Sequence, residues 1–354
     1  MSISFRIFLV IIVITLFAIK FSQVYSASPD PKNSTKSEEN RSVTSANLSS
    51  TNELNKVYPV AIAVNPQTNK IYVANQGSNT VTVIDGLSNK VKNNVSVGIT
   101  PVDIVVDQQT NKIYVANQGS KSVSVIDGKK DALLGTMYLE SAPRKIAIDD
   151  KRQFLYVTTN NYDGLVLINT TTNYVQGVVI LDRSPRGLAF LSSENLVLVT
   201  AYEWNPSYLY VLEGGSHKLV KTIKVENGPQ SIAVNPNDNM IYVVTDNKGI
   251  VSVVDPKSLD IFKNIKVGSS PTAIDINPLT RLVYVCNYGS SSISIIDGIT
   301  KNVISNIPVG AHPVDLAVNP KSNKIYSLNA GSNSISIIDG TNNKLMFPID
   351  MRTP

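Results

Sequence analysis

A proline recurs along this chain at an almost constant interval. The steps between successive members are 42, 42, 42, 44, 42 and 42 residues, and a tyrosine or leucine inside an apolar run follows each proline by thirteen residues. The seven prolines are Pro59, Pro101, Pro143, Pro185, Pro229, Pro271 and Pro313. A fixed period of this length is the signature of a repeat architecture, in which each unit packs on its neighbours. The sequence therefore predicts seven copies of one structural unit.

Each repeat contains four short runs of β-branched and aromatic residues. In the first repeat these are residues 60–64, 71–74, 81–84 and 91–97, separated by Asn, Pro, Gly, Asp and Ser. Such runs predict strands and such separators predict turns, and no helical stripe lies between repeats. Four strands in about 42 residues is the pattern of a propeller blade. The predicted fold is all-β: a seven-bladed β-propeller over residues 57–354, with four antiparallel strands per blade.

The strand–turn segments IYVANQGSNTVTVID (71–85), IYVANQGSKSVSVID (113–127) and VYVCNYGSSSISIID (283–297) carry a family resemblance. They resemble the YVTN-family β-propeller repeat, as does the segment Pro229–Pro236. The resemblance implies a propeller of a kind commonly found as a secreted or cell-surface binding or scaffold protein. Blades 3 and 4 depart from the pattern, because Thr158-Thr159-Asn160 and Thr200-Ala201-Tyr202 replace Ala-Asn-Gln. Departures of this kind are where a repeat protein acquires a specific function.

The N-terminus has a different composition from the repeats. Arg6 precedes residues 7–19, of which only Thr15 is polar, and small residues follow near Ala27. This is the pattern of a secretory signal over residues 1–27. The alternative is an uncleaved membrane anchor, although the apolar stretch is shorter than the roughly 20 residues that span a bilayer. Residues 28–56 are rich in Ser, Thr and Asn and predict a flexible linker. We expect an exported protein, extracellular or associated with the cell surface, that meets the membrane only through an uncleaved N-terminus.

Composition narrows the chemistry. The net charge is +5 and Lys and Arg do not cluster, so the sequence does not predict nucleic-acid binding. Cys286 occupies the repeat position of Ala74 and Ala116, which predicts a small buried residue. His217 and His312 belong to different blades and different kinds of turn, so they are expected at opposite ends of the ring. No cofactor, metal site or catalytic residue is predicted.

Candidate binding residues come from the geometry of antiparallel strands. Loops joining strands 2 and 3 and loops joining blades share one face, which surrounds the mouth of the central channel. The residue after the repeat proline lies there, and in two consecutive blades it is Arg144 and Arg186; Asp103 and Asp315 occupy the next position in other blades. The arginines either form surface ion pairs with Glu140 or Asp182, or bind a carboxylate or phosphate in bidentate fashion.

The one irregular interval also lies at this face. Two extra residues fall inside 201–207, the loop between strands 2 and 3 of blade 4. That loop contains Tyr202, Glu203 and the sole tryptophan, Trp204, next to Tyr162 and Asp163 of blade 3. An aromatic loop residue either offers a platform for a ligand or partner, or fills a gap between blades.

The leading functional hypothesis is a non-catalytic binding or scaffold module. Its channel-mouth face would hold a protein, a glycan or a small anion. One alternative is a propeller enzyme, similar to lactonases, lyases or hydrolases, with its pocket at the channel mouth. That alternative requires a convergent cluster of His, Glu or metal-binding carboxylates. Another is a structural coat protein whose blades pack laterally.

Overall fold

The computed structural model describes residues 57–160, 164–181, 183–202 and 206–351. Within them it shows seven antiparallel sheets of successive strands, six with four strands and one whose outer position holds two short strands, and no helix, so the predicted seven-bladed propeller is confirmed. In these ranges there is accordingly no helix long and apolar enough to cross a membrane. The predicted signal or anchor (1–27) and linker (28–56) lie outside the described residues.

The strands follow the repeat. Blade 1 comprises β1 Pro59–Asn65, β2 Lys70–Asn75, β3 Thr80–Asp85 and β4 Lys90–Ser96. Blade 2 comprises β5 Pro101–Asp107, β6 Lys112–Asn117, β7 Ser122–Asp127 and β8 Ala132–Tyr138. Blade 3 comprises β9 Pro143–Asp149, β10 Phe154–Thr159, β11 Leu165–Asn169 and β12 Tyr174–Val179. Blade 4 comprises β13 Ser184–Leu191, β14 Leu196–Tyr202, β15 Ser207–Glu213 and β16 Leu219–Val225.

The remaining blades are built in the same way. Blade 5 comprises β17 Pro229–Val234, β18 Ile241–Thr245, β19 Ile250–Val254 and β20 Ile261–Lys266. Blade 6 comprises β21 Pro271–Ile276, β22 Leu282–Asn287, β23 Ser292–Asp297 and β24 Asn302–Pro308. Blade 7 comprises β25 Pro313–Asn319, β26 Lys324–Asn329 and β27 Ser334–Asp339, with two short outer strands, β28 Lys344–Leu345 and β29 Ile349–Asp350, that both pair with β27.

The hydrophobic core lies between blades. One buried cluster joins Tyr72 and Val83 of blade 1 to Ile113 and Val115 of blade 2, and equivalent clusters join the other neighbours. Because both faces of the middle strands are buried in this way, their sequences are apolar throughout and do not alternate. A cluster of the same kind joins blade 7 to blade 1, so the ring is closed.

Two of the repeat tyrosines connect neighbouring blades by donating a hydrogen bond from the hydroxyl group, whereas the hydroxyls of Tyr72, Tyr114 and Tyr326 have no partner among the described residues. The Tyr156 hydroxyl donates to the Gly214 carbonyl at 3.0 Å, and the Tyr284 hydroxyl donates to Asn343 Oδ1 at 3.4 Å. In each case the acceptor lies in the turn between the third and fourth strands of the following blade. Burial raises the pKa of both tyrosines to about 12, so they are neutral donors at physiological pH.

Asparagine side chains connect blades at the face opposite the channel mouth. Asn65 Nδ2 donates to Asn111 Oδ1 at 2.8 Å, and Asn319 Nδ2 donates to Asn69 Oδ1 at 2.7 Å. Asn69 and Asn111 have φ values of 53°, a left-handed conformation that asparagine tolerates better than most residues. The Asn319–Asn69 bond joins blade 7 to blade 1 and adds a polar contact to the ring closure.

Candidate functional site

The first strand of each blade begins with a β-bulge directly after the repeat proline. In blade 2, Pro101 pairs with Asn117 and Asp103 pairs with Ala116, so Val102 is the extra residue. In blade 4 the interruption is longer, because Arg186 and Gly187 both lie between the paired residues Pro185 and Leu188. Bulges redirect the side chain of the extra residue. In each blade the side chain after the repeat proline therefore lies outside the regular strand pairing, and its chemical type varies from blade to blade.

In blades 3 to 5 this side chain is polar and contacts the residue that follows the repeat tyrosine or leucine by four positions. Arg144 Nη1 donates to Asn160 Oδ1 at 3.3 Å. The Arg186 guanidinium carbon lies 5.3 Å from the centre of the Tyr202 ring. Gln230 Nε2 donates to Asp246 Oδ2 at 2.8 Å.

The opposite side of the mouth is less polar. The equivalent residue is valine in blades 7, 1 and 2, and threonine in blade 6: Val314, Val60, Val102 and Thr272. All four are half-buried. The mouth is therefore two-sided, with cationic and hydrogen-bonding groups on blades 3 to 5 facing an aliphatic wall.

The two arginines are close enough to influence each other. Partial burial, with the nearby charge of Arg186 as the second cause, lowers the pKa of Arg144 to about 10. Among the residues that the structure describes, neither guanidinium forms an ion pair, although Glu140 lies among them. Asp182, the other partner considered, lies outside the described residues. Two adjacent cations that repel each other are the arrangement that a bound anion would stabilise.

One residue further along the inner strand, three charged groups meet in the channel. Lys145 Nζ donates to Asp103 Oδ1 at 2.8 Å, with the lysine side chain 34% exposed and the aspartate 11% exposed. Burial opposes the charge of Lys145, but Asp103 and Asp315 outweigh it and raise its pKa. Burial raises the pKa of Asp315 to about 6, although Lys145 acts in the other direction. These residues belong to blades 2, 3 and 7, so their charges interact across the channel.

Asp103 and Asp315 also accept hydrogen bonds from backbone N–H groups of the innermost strand of the next blade. The innermost strand of a blade is an edge strand, and its channel-facing N–H groups have no ladder partner. Asp103 Oδ2 accepts from Ile146 N at 2.8 Å, and Asp315 Oδ2 accepts from Ile62 N at 2.9 Å. Each carboxylate thus connects its blade to the next one, and the Asp315 bond spans the closure between blades 7 and 1.

Asp275 connects blade 6 to blade 7 in the same way, from a repeat position two residues beyond that of Asp103 and Asp315. Asp275 Oδ2 accepts from Val318 N at 2.8 Å, while Oδ1 accepts from Ile276 N at 2.8 Å. The two-residue step matches the period of a strand, in which every second N–H faces the same edge. Burial raises the pKa of Asp275 to about 6. Asp275 was not among the residues selected from the sequence; the signal available was a charge at a position that holds alanine or valine in the other blades.

The threonines that distinguish blades 3 and 4 have a structural role. Thr158 Oγ1 accepts from Lys145 N at 3.0 Å, and Thr200 Oγ1 accepts from Gly187 N at 2.7 Å. Both donors belong to the segment that contains the bulged arginine. The threonines therefore satisfy the backbone beside Arg144 and Arg186 and fix the positions from which these side chains enter the mouth.

Comparison with known proteins agrees with this architecture. Residues 27–321 match the family described as YNCE-like beta-propeller. The chain belongs to this family. No curated protein matches the sequence of this YNCE-like propeller.

Solved structures of other proteins share the fold. A chain of Kuenenia stuttgartiensis hydrazine synthase matches with a TM-score of 0.75 and 16% identity, over 82% of this chain and 98% of that one. The dihydro-heme d1 dehydrogenase NirN, in a complex with DHE, matches with a TM-score of 0.62 and 13% identity, over 82% of this chain and 66% of that one. At these identities the likeness concerns the fold alone.

The YNCE-like propeller brings five of the predicted site residues to the channel. Arg144, Arg186 and Tyr202 line the mouth, and Asp103 and Asp315 follow one residue deeper with oxygens already bonded to backbone N–H groups. Four others lie outside the described residues: Tyr162, Asp163, Glu203 and Trp204. Lys145, Asn160, Gln230 and Asp246 join the site although the sequence reasoning did not select them as binding residues.

The sole cysteine and the two histidines of the YNCE-like propeller take no part in the mouth cluster. Cys286 is fully buried, as its repeat position predicted, and burial raises the pKa of its thiol well above the usual value. His312 stacks on Tyr288 with ring centres 4.5 Å apart, whereas His217 lies beside Tyr156 with ring centres 6.1 Å apart. In the described ranges no group of three His, Cys, Asp or Glu side chains is arranged to hold a metal ion.

Proposed function

We propose that this propeller is an exported, non-catalytic binding module whose channel mouth holds a small anion, a carboxylate or phosphate. The observation that carries the proposal is the pair Arg144 and Arg186 on adjacent blades, both bulged into the mouth and both outside any ion pair of the described residues. Guanidinium groups bind carboxylates and phosphates through two parallel hydrogen bonds. Burial is the main cause that lowers the pKa of Arg144, and a bound anion would relieve the second cause, the repulsion from Arg186.

The surroundings of the arginines favour binding with defined orientation. Asn160 accepts a hydrogen bond from Arg144, and the Tyr202 ring lies against the Arg186 guanidinium. These contacts restrain both side chains, so less side-chain entropy is lost when a ligand binds. The aliphatic wall of Val60, Val102 and Val314 would contact an apolar part of the same ligand. The expected ligand is therefore a small organic anion with an apolar portion.

The same contacts favour binding over catalysis. A general acid or base needs a titratable group within reach of the substrate. Among the described residues, the carboxylates of Asp103 and Asp315 accept hydrogen bonds from Ile146 and Ile62, and Asp246 accepts from Gln230. These hydrogen bonds tie the carboxylates to the ring and the mouth, although Asp246 Oδ1 has no partner among the described residues. The two guanidinium groups are the cations that an anionic ligand would contact.

The binding test compares two double variants that lose the same charge. Arg144→Ala/Arg186→Ala removes both mouth cations, whereas Lys129→Ala/Lys130→Ala removes two exposed cations from a turn on the opposite face. Charge-assisted hydrogen bonds contribute about 1.5–3 kcal/mol each, so the arginine variant should lose roughly a hundredfold or more in affinity for citrate or phosphate. Isothermal titration calorimetry at low ionic strength measures this.

Three outcomes would overturn the proposal. Wild-type protein that binds no anion contradicts it directly. If the arginine and lysine variants lose the same affinity for the anion, the loss follows from the net charge of the protein and not from a site at the mouth. Turnover of a bound anion would make the mouth an active site.

Export is tested separately. The apolar segment 7–19 and the small residues before residue 28 support a cleaved secretory signal. Intact-mass measurement of the protein recovered outside the producing cells should show a chain beginning near Ser28. A full-length mass in the membrane fraction would instead support the anchor.

A further inference from the structure

The end of the central channel opposite the arginines contains a cavity of about 560 Å³. Residues from blades 1, 2, 5, 6 and 7 line it, and most of them are isoleucine, leucine, valine, alanine or proline. The prolines come from the loops between the first and second strands, so the cavity opens at the face away from the mouth. Its volume lies in the range of sites for small molecules, and polar surface accompanies its mostly apolar residues.

One charged side chain lines this cavity, the carboxylate of Asp275; the other polar one is Gln108. The equivalent position holds alanine in five of the other blades and valine in blade 2: Ala63, Val105, Ala147, Ala189, Ala233 and Ala317. The backbone N–H that Asp275 accepts from, at Val318, has counterparts in every blade, yet Asp275 is the single carboxylate at this repeat position. The connection to blade 7 is therefore not something the fold demands at this level.

The carboxylate is also uncompensated. No ion pair involves Asp275 among the residues that the structure describes, and no lysine, arginine or histidine lines the cavity. Each of its oxygens accepts one backbone hydrogen bond, which leaves lone pairs for a further donor. A half-buried carboxylate without a cation is desolvated without compensation, which is why the pKa of this group is raised.

We propose that this cavity is a second binding site, selective for a small ammonium ion with an apolar body, with Asp275 as the counter-ion. The ammonium group would donate to the free lone pairs of the carboxylate, and the hydrocarbon would contact the aliphatic lining. The site is separate from the anion-binding mouth and does not depend on it. The two openings of the channel then select ligands of opposite charge.

The test uses two probes of the same length, hexylammonium and the neutral 1-hexanol. Binding to the full protein is followed by calorimetry or ligand-observed NMR at about pH 7.5, where a carboxyl with a pKa near 6 is ionised. Wild type should bind hexylammonium about ten- to a hundredfold more tightly than hexanol, the range of a charge-assisted hydrogen bond. Asp275→Asn should abolish that preference and retain hexanol binding.

Two further variants complete the design. Asp315→Asn is the matched control, because this carboxylate also accepts two backbone hydrogen bonds but does not line the cavity, so the preference for ammonium should persist. Ala317→Leu fills the cavity and should weaken both probes, and it serves as the test if Asp275→Asn does not fold. The proposal is overturned if wild type shows no preference, if Asp275→Asn retains it, or if Ala317→Leu changes neither probe.

Discussion

Removing the Asp315 carboxylate tests how the ring is closed, because two effects of opposite sign are lost together. The hydrogen bonds that the carboxylate accepts stabilise the folded protein, whereas its partly desolvated charge destabilises it. Asp315→Ala leaves the N–H groups of Ile62 and Leu316, residues 5% and 4% exposed, without their acceptor. An orphaned buried donor costs about 1–3 kcal/mol. The same substitution removes a carboxyl whose pKa is raised from 3.8 to about 6. A difference of about 2 pKa units corresponds to roughly 3 kcal/mol that the ionised group costs at neutral pH.

The sign of the pH dependence follows from the direction of that shift. A carboxyl with a higher pKa in the folded state binds its proton more tightly there, so it stabilises the native protein below the unfolded pKa. That stability is lost as the pH rises towards 6. At about pH 7 the relieved charge offsets much of the cost of the two lost hydrogen bonds, so Asp315→Ala should be only modestly less stable than wild type. At about pH 4.5 the relief shrinks by about 2 kcal/mol and the variant should be clearly less stable than wild type.

Urea-induced unfolding followed by circular dichroism at the two pH values measures the difference in the free energy of unfolding between Asp315→Ala and wild type. Asp103→Ala is the comparison variant, since it removes the acceptor of Ile146 and the ion partner of Lys145. It should destabilise the protein at both pH values, because it leaves a cation without its partner. If the stability difference between Asp315→Ala and wild type is the same at about pH 4.5 and pH 7, the carboxyl does not have the buried environment described above.

The remaining predictions concern the contacts between blades. Tyr156→Phe removes the hydroxyl that donates to Gly214 and should lower the free energy of unfolding by about 1 kcal/mol in urea unfolding; an unchanged stability would show that this hydrogen bond does not connect blades 3 and 4. The thiol of Cys286, fully buried and raised in pKa, should resist an aromatic disulfide reagent in the native protein and react at once in denaturant. Rapid native labelling would place this residue at an accessible surface.

Fold and site differ in how far the sequence predicts them. The proline period, the strand runs and the turn residues recur at fixed spacing, and local repetition is enough to determine a blade and its number of copies. The same register placed Arg144 and Arg186 after their prolines at the mouth. The bulge that takes Arg144 and Arg186 out of the regular strand pairing depends on the register between two strands, so no single residue in the sequence predicts it.

The carboxylate connections illustrate what the sequence did not predict. Asp315 and Ile62 are 253 residues apart, and Asp103 and Ile146 are 43 apart. Each bond depends on which blade follows which around the channel and on the direction of an edge N–H, which are properties of the assembled ring. The usable signal was the interruption of a small-residue position by aspartate, since alanine there needs no partner and a buried carboxylate does.

Ring closure explains why these unusual charges are tolerated. In the described ranges each blade is made of consecutive strands, so no strand shared between blades 7 and 1 fastens the ring. Closure therefore depends on the buried apolar cluster between these blades, the Asn319–Asn69 bond at one face and the Asp315–Ile62 bond in the channel. Because Lys145 of blade 3 partly offsets the charge of Asp315 across the channel, the closing contact is coupled to the mouth. A negative charge near a carboxylate raises its pKa. An anion bound at the mouth would therefore act on Asp315 in the direction opposite to Lys145, so ligand binding and ring closure should respond to pH together.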